Sequence, residues 1–173
     1  MICPVSSIFD KAEIDAALTE QFSQAPDSKV VRAACVQILQ AAMEKGRANI
    51  AAAFEADPVN ARPTVQAYAY LTDCVMLSVL RVAQTWLHPL PNPTEAERLA
   101  LLAVGGYGRA EMAPYSDVDL LFLTPYKITP WAESLIESML YIMWDLRLKV
   151  GHSSRTVKDC IDAAPTSFGG AGS

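Results

Sequence analysis

The sequence has little of the residues that build most metal clusters and disulfide frameworks. Its 173 residues include two histidines, His88 and His152, and four cysteines with no C-x-x-C pair. The cysteines lie far apart in sequence, at Cys3, Cys35, Cys74 and Cys160. We therefore expect reduced thiols that pack as small apolar groups, and neither a disulfide framework nor a zinc site.

Long apolar runs and clustered positive charge are also missing. No apolar run reaches the ~18 residues of a membrane-spanning helix, and the N-terminus, MICPVSSIFDKAEID, lacks the basic and apolar regions of a secretory signal. We therefore expect a cytoplasmic protein with no membrane association. The 14 Lys and Arg against 19 Asp and Glu give a net charge of −5. This balance argues against a general nucleic-acid binder but permits one bound nucleotide.

The apolar residues, 51% of the chain, follow helical periodicity in the first half. Their spacing predicts a short helix over residues 8–23 and long amphipathic helices over 28–57 and 64–87. Pro58 and Pro63 bracket the turn between the long helices, so we expect an antiparallel hairpin. Residues 1–88 thus form a helical arm whose apolar stripes are packing surface.

The second half has a different pattern. Prolines at 89, 91 and 93 mark residues 89–98 as a linker. Beyond it we predict a strand at 99–104, a glycine turn, a strand at 118–123, a helix that opens at Thr129-Pro130 and ends by Gly151, and then a strand over 152–157. The predicted fold class is α+β: a helical arm followed by the start of an α/β sheet over 99–164. Residues 165–173 are predicted to be a flexible tail.

Two features in this half carry chemistry. Gly105 and Gly106 end an apolar strand, and glycines let backbone N–H groups approach an anion closely; we expect a positive φ at Gly106. Asp117 and Asp119 begin the next strand, and side chains two residues apart on a strand share a face. Two converging carboxylates suit a hard cation such as Mg²⁺.

Other motifs do not fit this segment. A P-loop needs a Lys after its glycines, a dinucleotide-binding fingerprint needs a glycine where Glu111 stands, and an EF-hand needs more acids. An isolated D-x-D often occurs by chance in an exposed loop. Here the two acids interrupt an otherwise apolar strand, where unpaired charge is costly to bury. This combination favours a functional site.

The pattern Gly-Gly…Asp-x-Asp resembles the signature of the polymerase-β-type nucleotidyltransferases. The longer strings GGYGRAEMAPYSDVDLL and MWDLRLKVGHSSRT resemble the bacterial PII uridylyltransferase/uridylyl-removing family over about residues 64–162. That family usually has Gly in place of Ala110, Leu in place of Met112 and Ile in place of Val118. It usually has an apolar residue where Ser154 stands.

The resemblance implies a reaction in which UTP and a tyrosine hydroxyl of the small trimeric signalling protein PII give uridylyl-PII and diphosphate. It implies that Asp117 and Asp119 are catalytic and hold Mg²⁺. Gly105 and Gly106 would bind the triphosphate through backbone N–H groups.

The same resemblance makes Arg109 and Ser116 candidates for phosphate contacts. Each has a simpler interpretation, Arg109 as a solvated loop charge and Ser116 as a turn residue. His152 and Arg155 lie in the downstream string, where they fit a polar strand edge equally well.

Family members are several times longer than 173 residues and carry an HD hydrolase domain and two glutamine-sensing ACT domains. This chain has no His-Asp dipeptide. The superfamily's third metal-binding carboxylate would lie beyond Cys160, and Asp145, on a predicted helix, is not placed to supply it. We therefore expect an N-terminal fragment with little activity alone. Two alternatives stay open: another nucleotidyltransferase, such as an adenylyltransferase, and a non-catalytic helical interaction module.

Overall fold

The computed structural model describes residues 1–24 and 27–164. The predicted flexible tail at 165–173 lies outside the described residues. The helices of the first half are α1 (Val5–Ile8), α2 (Lys11–Ser23), α3 (Ser28–Ala56) and α4 (Ala61–Val82). A π-helical turn at Ala83–Leu87 continues α4 to the end of the predicted helix.

The predicted helix at 8–23 is wrong at its start, because the chain forms two helices there. Phe9 is extended, with φ of −155°, and Asp10 caps α2 by accepting a hydrogen bond from the Glu13 N–H at 3.1 Å. Phe9 is also buried. The capping carboxylate and the buried ring together separate α1 from α2.

The predicted hairpin of two long helices is present, with α3 packed against α4. Cys35 and Leu39 of α3 and Val75 and Val79 of α4 are almost completely buried. Burial raises the pKa of the Cys35 thiol to about 12, which fits the expectation of an inert, apolar cysteine. The amphipathic stripes of the arm are therefore packing surface.

The segment after the hairpin is attached to the following helix. The His88 ring nitrogen Nε2 lies 2.7 Å from the Ser138 hydroxyl, and the Trp131 indole N–H donates to the His88 carbonyl at 2.9 Å. Burial lowers the pKa of His88. These two hydrogen bonds hold His88, the residue before the proline-rich stretch, against the helix that contains Trp131 and Ser138.

A three-stranded sheet follows, formed by β1 (Ala100–Ala103), β2 (Val118–Thr124) and β3 (Val150–Thr156). β2 lies in the centre, antiparallel to β1 and parallel to β3. Alternate residues of β2, including Val118, Leu120 and Phe122, are buried against the helices. One hydrophobic core joins the sheet to the helical hairpin.

The described residues of this half form a 3-10 turn at Glu95–Glu97 and three α-helices, α5 (Gly105–Gly108), α6 (Pro130–Asp145) and α7 (Val157–Asp162). Thr129 caps α6, accepting from the Ala132 N–H at 3.2 Å, as its position before Pro130 predicts. The helix ends at Asp145, before the expected exit at Gly151, because Arg147 has a left-handed backbone with φ of 58°.

The fold class is α+β, as predicted from the order of the elements. In the part of the chain that the structure describes, none of the helices has both the length and the apolar character needed to cross a bilayer. The division into arm, linker, domain and tail stays a prediction.

Candidate functional site

The carboxylate of Asp119 lies in a narrow gap between two glycines. Asp119 is half-buried on the face of β2 that points away from the helices. A Cβ atom added to Gly105 would lie 2.8 Å from its Oδ2, and one added to Gly151 would lie 2.5 Å from its Oδ1. Both distances are shorter than real Cβ contacts, so a side chain at either glycine would displace the Asp119 carboxylate from this glycine gap. We use that name for Gly105, Asp119 and Gly151.

The sequence interpretation of Gly151 was wrong in an informative way. The pattern predicts that Gly151 follows the end of the helix that begins at Pro130. It lies instead inside β3 and pairs directly with Asp119 in the parallel register. The predicted strand at 152–157 begins two residues earlier, at Val150. The available signal was a glycine inside a short polar strand, which often marks a close approach.

Asp117 immediately precedes β2 and is exposed. The intervening Val118 is buried on the helix side, so strand alternation places the two carboxylates on the opposite, open face. The Cα atoms of such a pair are about 6–7 Å apart along a strand.

Ser116 closes the turn that leads into Asp117. Its hydroxyl oxygen accepts a hydrogen bond from the Ala113 N–H at 2.9 Å, and its own N–H donates to the Ala113 carbonyl at 3.1 Å. The hydroxyl hydrogen is not used in either bond, so it stays available as a donor to a ligand oxygen.

The glycine turn, Gly105–Gly108, contains three glycines and one tyrosine. The positive φ expected at Gly106 is found instead at Gly105, where φ is 61°. The Gly106 carbonyl accepts from the N–H groups of Arg109 and Glu111, at 3.2 and 3.0 Å. This bonding pattern closes the turn and directs the chain away from β1.

Arg109 pairs with a neighbouring acid. Its Nε lies 2.8 Å from Oε2 of Glu111, and both side chains are more than 60% exposed, at 64% and 62%. An ion pair this exposed is worth about 0–1 kcal/mol, so an incoming phosphate can compete for the guanidinium. The next residue, Ala110, has φ of 55°, a conformation in which glycine avoids the steric cost.

His152 and Arg155 lie on opposite faces of β3. His152 pairs with Leu120, on the helix-covered face, and its ring lies edge-on to Phe122 at 6.5 Å. Arg155 pairs with Leu123 and so shares the open face with Asp119, four register positions along. The structure therefore brings Arg155, and not His152, to the face that carries the acids.

The helical arm also reaches this region. Arg47 of α3 stacks its guanidinium 5.2 Å from the ring centre of Tyr115. Tyr115 itself has φ of 63° and lies two residues before Asp117. The spacing of apolar residues in α3 gave no sign of this contact, because it depends on where the loop at 112–116 folds back.

The residues of this site fit a magnesium ion that shares its ligands with a phosphate. Mg²⁺ prefers oxygen ligands and commonly binds through one or two carboxylates and substrate phosphates. The glycine gap holds the Asp119 carboxylate close to the Gly105 backbone, where a phosphate could approach. Among the described residues no group of three or more His, Cys, Asp or Glu is placed to hold a metal, so the expected third carboxylate is not found there.

The chain is similar in sequence to several curated proteins. The chain is 61% identical over 154 residues, 89% of its length, to the bifunctional uridylyltransferase/uridylyl-removing enzyme of Ruegeria pomeroyi. It is 57% identical over 163 residues to that of Cereibacter sphaeroides and 49% identical over 131 residues to that of Azospirillum brasilense. No family model and no solved structure matches the chain.

The matched region is a small part of each relative. It covers 17%, 18% and 14% of the three proteins, respectively. The aligned stretch takes up most of this chain and so includes the glycine turn and both acids. Over that stretch, the chain is similar to the bifunctional uridylyltransferase/uridylyl-removing enzymes.

Proposed function

We propose that this chain carries the nucleotide-binding part of a magnesium-dependent uridylyltransferase. The observation that carries the proposal is the glycine gap, in which the Asp119 carboxylate lies against the backbone of the glycine turn. This juxtaposition brings a metal-binding group beside a phosphate-binding backbone. The names of the relatives support UTP as the nucleotide.

Each site residue has a distinct role in this proposal. Asp117 and Asp119 would hold Mg²⁺, and the bound ion would supply positive charge to the triphosphate and to the attacking hydroxyl. The backbone N–H groups of Gly105 and Gly106 bind phosphate oxygens. Ser116 donates its free hydroxyl hydrogen, and Arg109 leaves Glu111 to pair with the phosphate.

The acceptor we propose is a tyrosine hydroxyl of the PII signalling protein. The hydroxyl gives up its proton to solvent water, its oxygen attacks the α-phosphorus of UTP, the bond from that phosphorus to the bridging oxygen breaks, and diphosphate leaves with the electron pair. The protein contributes positioning and charge neutralisation, which carry most of the catalysis in phosphoryl transfer. The open sheet face beside Asp119 leaves room for the acceptor.

Isothermal titration with UTP and Mg²⁺ tests the binding step. Asp117→Asn and Asp119→Asn each remove one anionic ligand, so we expect each to weaken binding by about tenfold or more. Asp162→Asn, an exposed acid in α7, is the matched control and should bind like the parent.

Three results would contradict the proposal. Unchanged affinity in both site variants would remove the metal assignment. Equal or tighter binding of ATP would favour an adenylyltransferase, while a parent chain that binds no nucleotide would favour a helical interaction module.

A further inference from the structure

The glycine turn has one side chain through which it can be anchored. Three of its four residues are glycines, which lose more conformational freedom on folding than any other residue. The fourth, Tyr107, is 6% exposed and belongs to the hydrophobic core. The order of the turn therefore depends heavily on how this ring is held.

The tyrosine is held from the helical arm. Its hydroxyl donates a hydrogen bond of 2.7 Å to Oδ1 of Asp73, on α4. Burial, and then this hydrogen bond, raise the pKa of Tyr107, so the hydroxyl keeps its proton and stays a donor. A hydrogen bond to a carboxylate is stronger than one between neutral groups. Asp73 and Tyr107 line one side of a groove of about 330 Å³ between α4 and β1.

The turn has little space in which to shift without losing the glycine gap. A Cβ added to Gly108 would lie 2.7 Å from the Ala103 carbonyl oxygen, so the end of the turn packs against β1. Its start, Gly105, packs against the Asp119 carboxylate. A rotation of the turn about Tyr107 would therefore change the distance between Asp119 and the Gly105 backbone.

We propose that Asp73 and Tyr107 are positioning residues: their hydrogen bond lets the helical arm hold the glycine turn against Asp119. This inference rests on the proposed function for its role in nucleotide binding. Neither residue touches the nucleotide in this proposal. The arm thereby becomes part of the site's support as well as part of the core.

The test compares Tyr107→Phe, Asp73→Ala and Asp73→Asn in the 173-residue chain. Tyr141→Phe is the matched control, because Tyr141 also donates to a carboxylate, that of Glu137 at 3.2 Å, but does so on the exposed side of α6. Two quantities are measured: amide hydrogen exchange by NMR at residues 108–111, whose N–H groups donate to carbonyls within and just before the glycine turn, and the affinity for UTP with Mg²⁺.

We expect Tyr107→Phe and Asp73→Ala to speed amide exchange in the glycine turn by about tenfold, because each variant removes one charge-assisted hydrogen bond. Core amides of α3 should change less. The affinity for UTP should fall by about three- to tenfold. Asp73→Asn keeps an acceptor oxygen and should restore most of both quantities, and Tyr141→Phe should leave both unchanged.

The inference is overturned if exchange in the turn does not change, or if it rises equally in every core amide, as a purely global loss of stability would produce. Failure of the proposed function looks different. In that case the parent chain binds no UTP, while the exchange of residues 108–111 still responds to the loss of the hydroxyl or its acceptor.

Discussion

Single residues in unusual backbone conformations are concentrated around the site. Gly105, Ala110 and Tyr115 all have positive φ, and all lie within the loop between β1 and β2. For the two residues with side chains this conformation is costly. Strain of this kind persists where the surrounding contacts determine the backbone, which is common at binding sites.

Ala110→Gly should stabilise the protein. With φ at 55°, alanine carries a left-handed penalty of about 1–2 kcal/mol, which exceeds the extra chain entropy of glycine, about 0.5–1 kcal/mol. We expect a net gain of about 0.5–1 kcal/mol in the free energy of unfolding, measured by urea denaturation.

Ala41→Gly, at an exposed position in the middle of α3, is the control for this comparison. There the backbone is helical, so the same replacement should cost about 1 kcal/mol. If Ala110→Gly loses stability as the control does, the left-handed backbone at that position is not a source of strain.

At the scale of elements, β3 contributes Gly151 to the site, and the absence of a side chain there leaves space for the Asp119 carboxylate. Gly151→Ala should weaken UTP binding by about tenfold or more, because the new Cβ lies 2.5 Å from the Asp119 carboxylate and displaces it. The strand should still form, since alanine is tolerated in a sheet. Titration with UTP and Mg²⁺, together with circular dichroism, measures both effects.

Ser153→Ala provides the comparison, because Ser153 lies two residues along the same strand and on the same face. This variant should bind UTP like the parent. Equal affinity in Gly151→Ala would mean that the position of the Asp119 carboxylate is not important for binding.

The sequence predicted the long elements well and the close contacts poorly. Helical periodicity was enough for α3 and α4, since two apolar stripes on one hairpin have few ways to pack. The two acids could be placed on one face of β2 by strand alternation alone. Gly151 could not be assigned, because a glycine before a polar strand looks the same as one after a helix until the strands are paired.

The short helices could not be predicted from the sequence either. α5 and α7 have four and six residues, too few to show a period. The start of α7 depends on a local bond, in which the Asp159 N–H donates to the Thr156 hydroxyl at 3.1 Å. The Tyr107–Asp73 bond joins residues 34 positions apart, and no local pattern predicts a contact over that distance.

At the scale of the whole molecule, one hydrophobic core joins the helical arm to the sheet. The candidate metal site on that sheet has two carboxylates. Since no third acid accompanies Asp117 and Asp119 among the described residues, we expect a chain of these 173 residues to transfer UMP slowly. Losing one electrostatic contribution of this kind typically costs about 10²–10³ in rate.

Transfer of labelled UMP from UTP to PII, with ATP and 2-oxoglutarate present, measures this rate. The full-length Ruegeria pomeroyi relative is the reference, and Asp119→Asn in the short chain gives the background. A turnover comparable with the reference would mean that two acids are enough, or that the remaining ligand lies outside the described residues.

The glycine gap has a further consequence for how the sheet must assemble. Asp119 fits opposite Gly151, and a slip of β3 by one residue would put Val150 or His152 opposite it. Either side chain would fill the space that the carboxylate occupies, and the slip would also turn the alternating faces of β3 over. Under the proposed function, the correct pairing of β2 with β3 therefore also forms the metal ligand, so nucleotide binding would report whether the sheet has paired in the correct register.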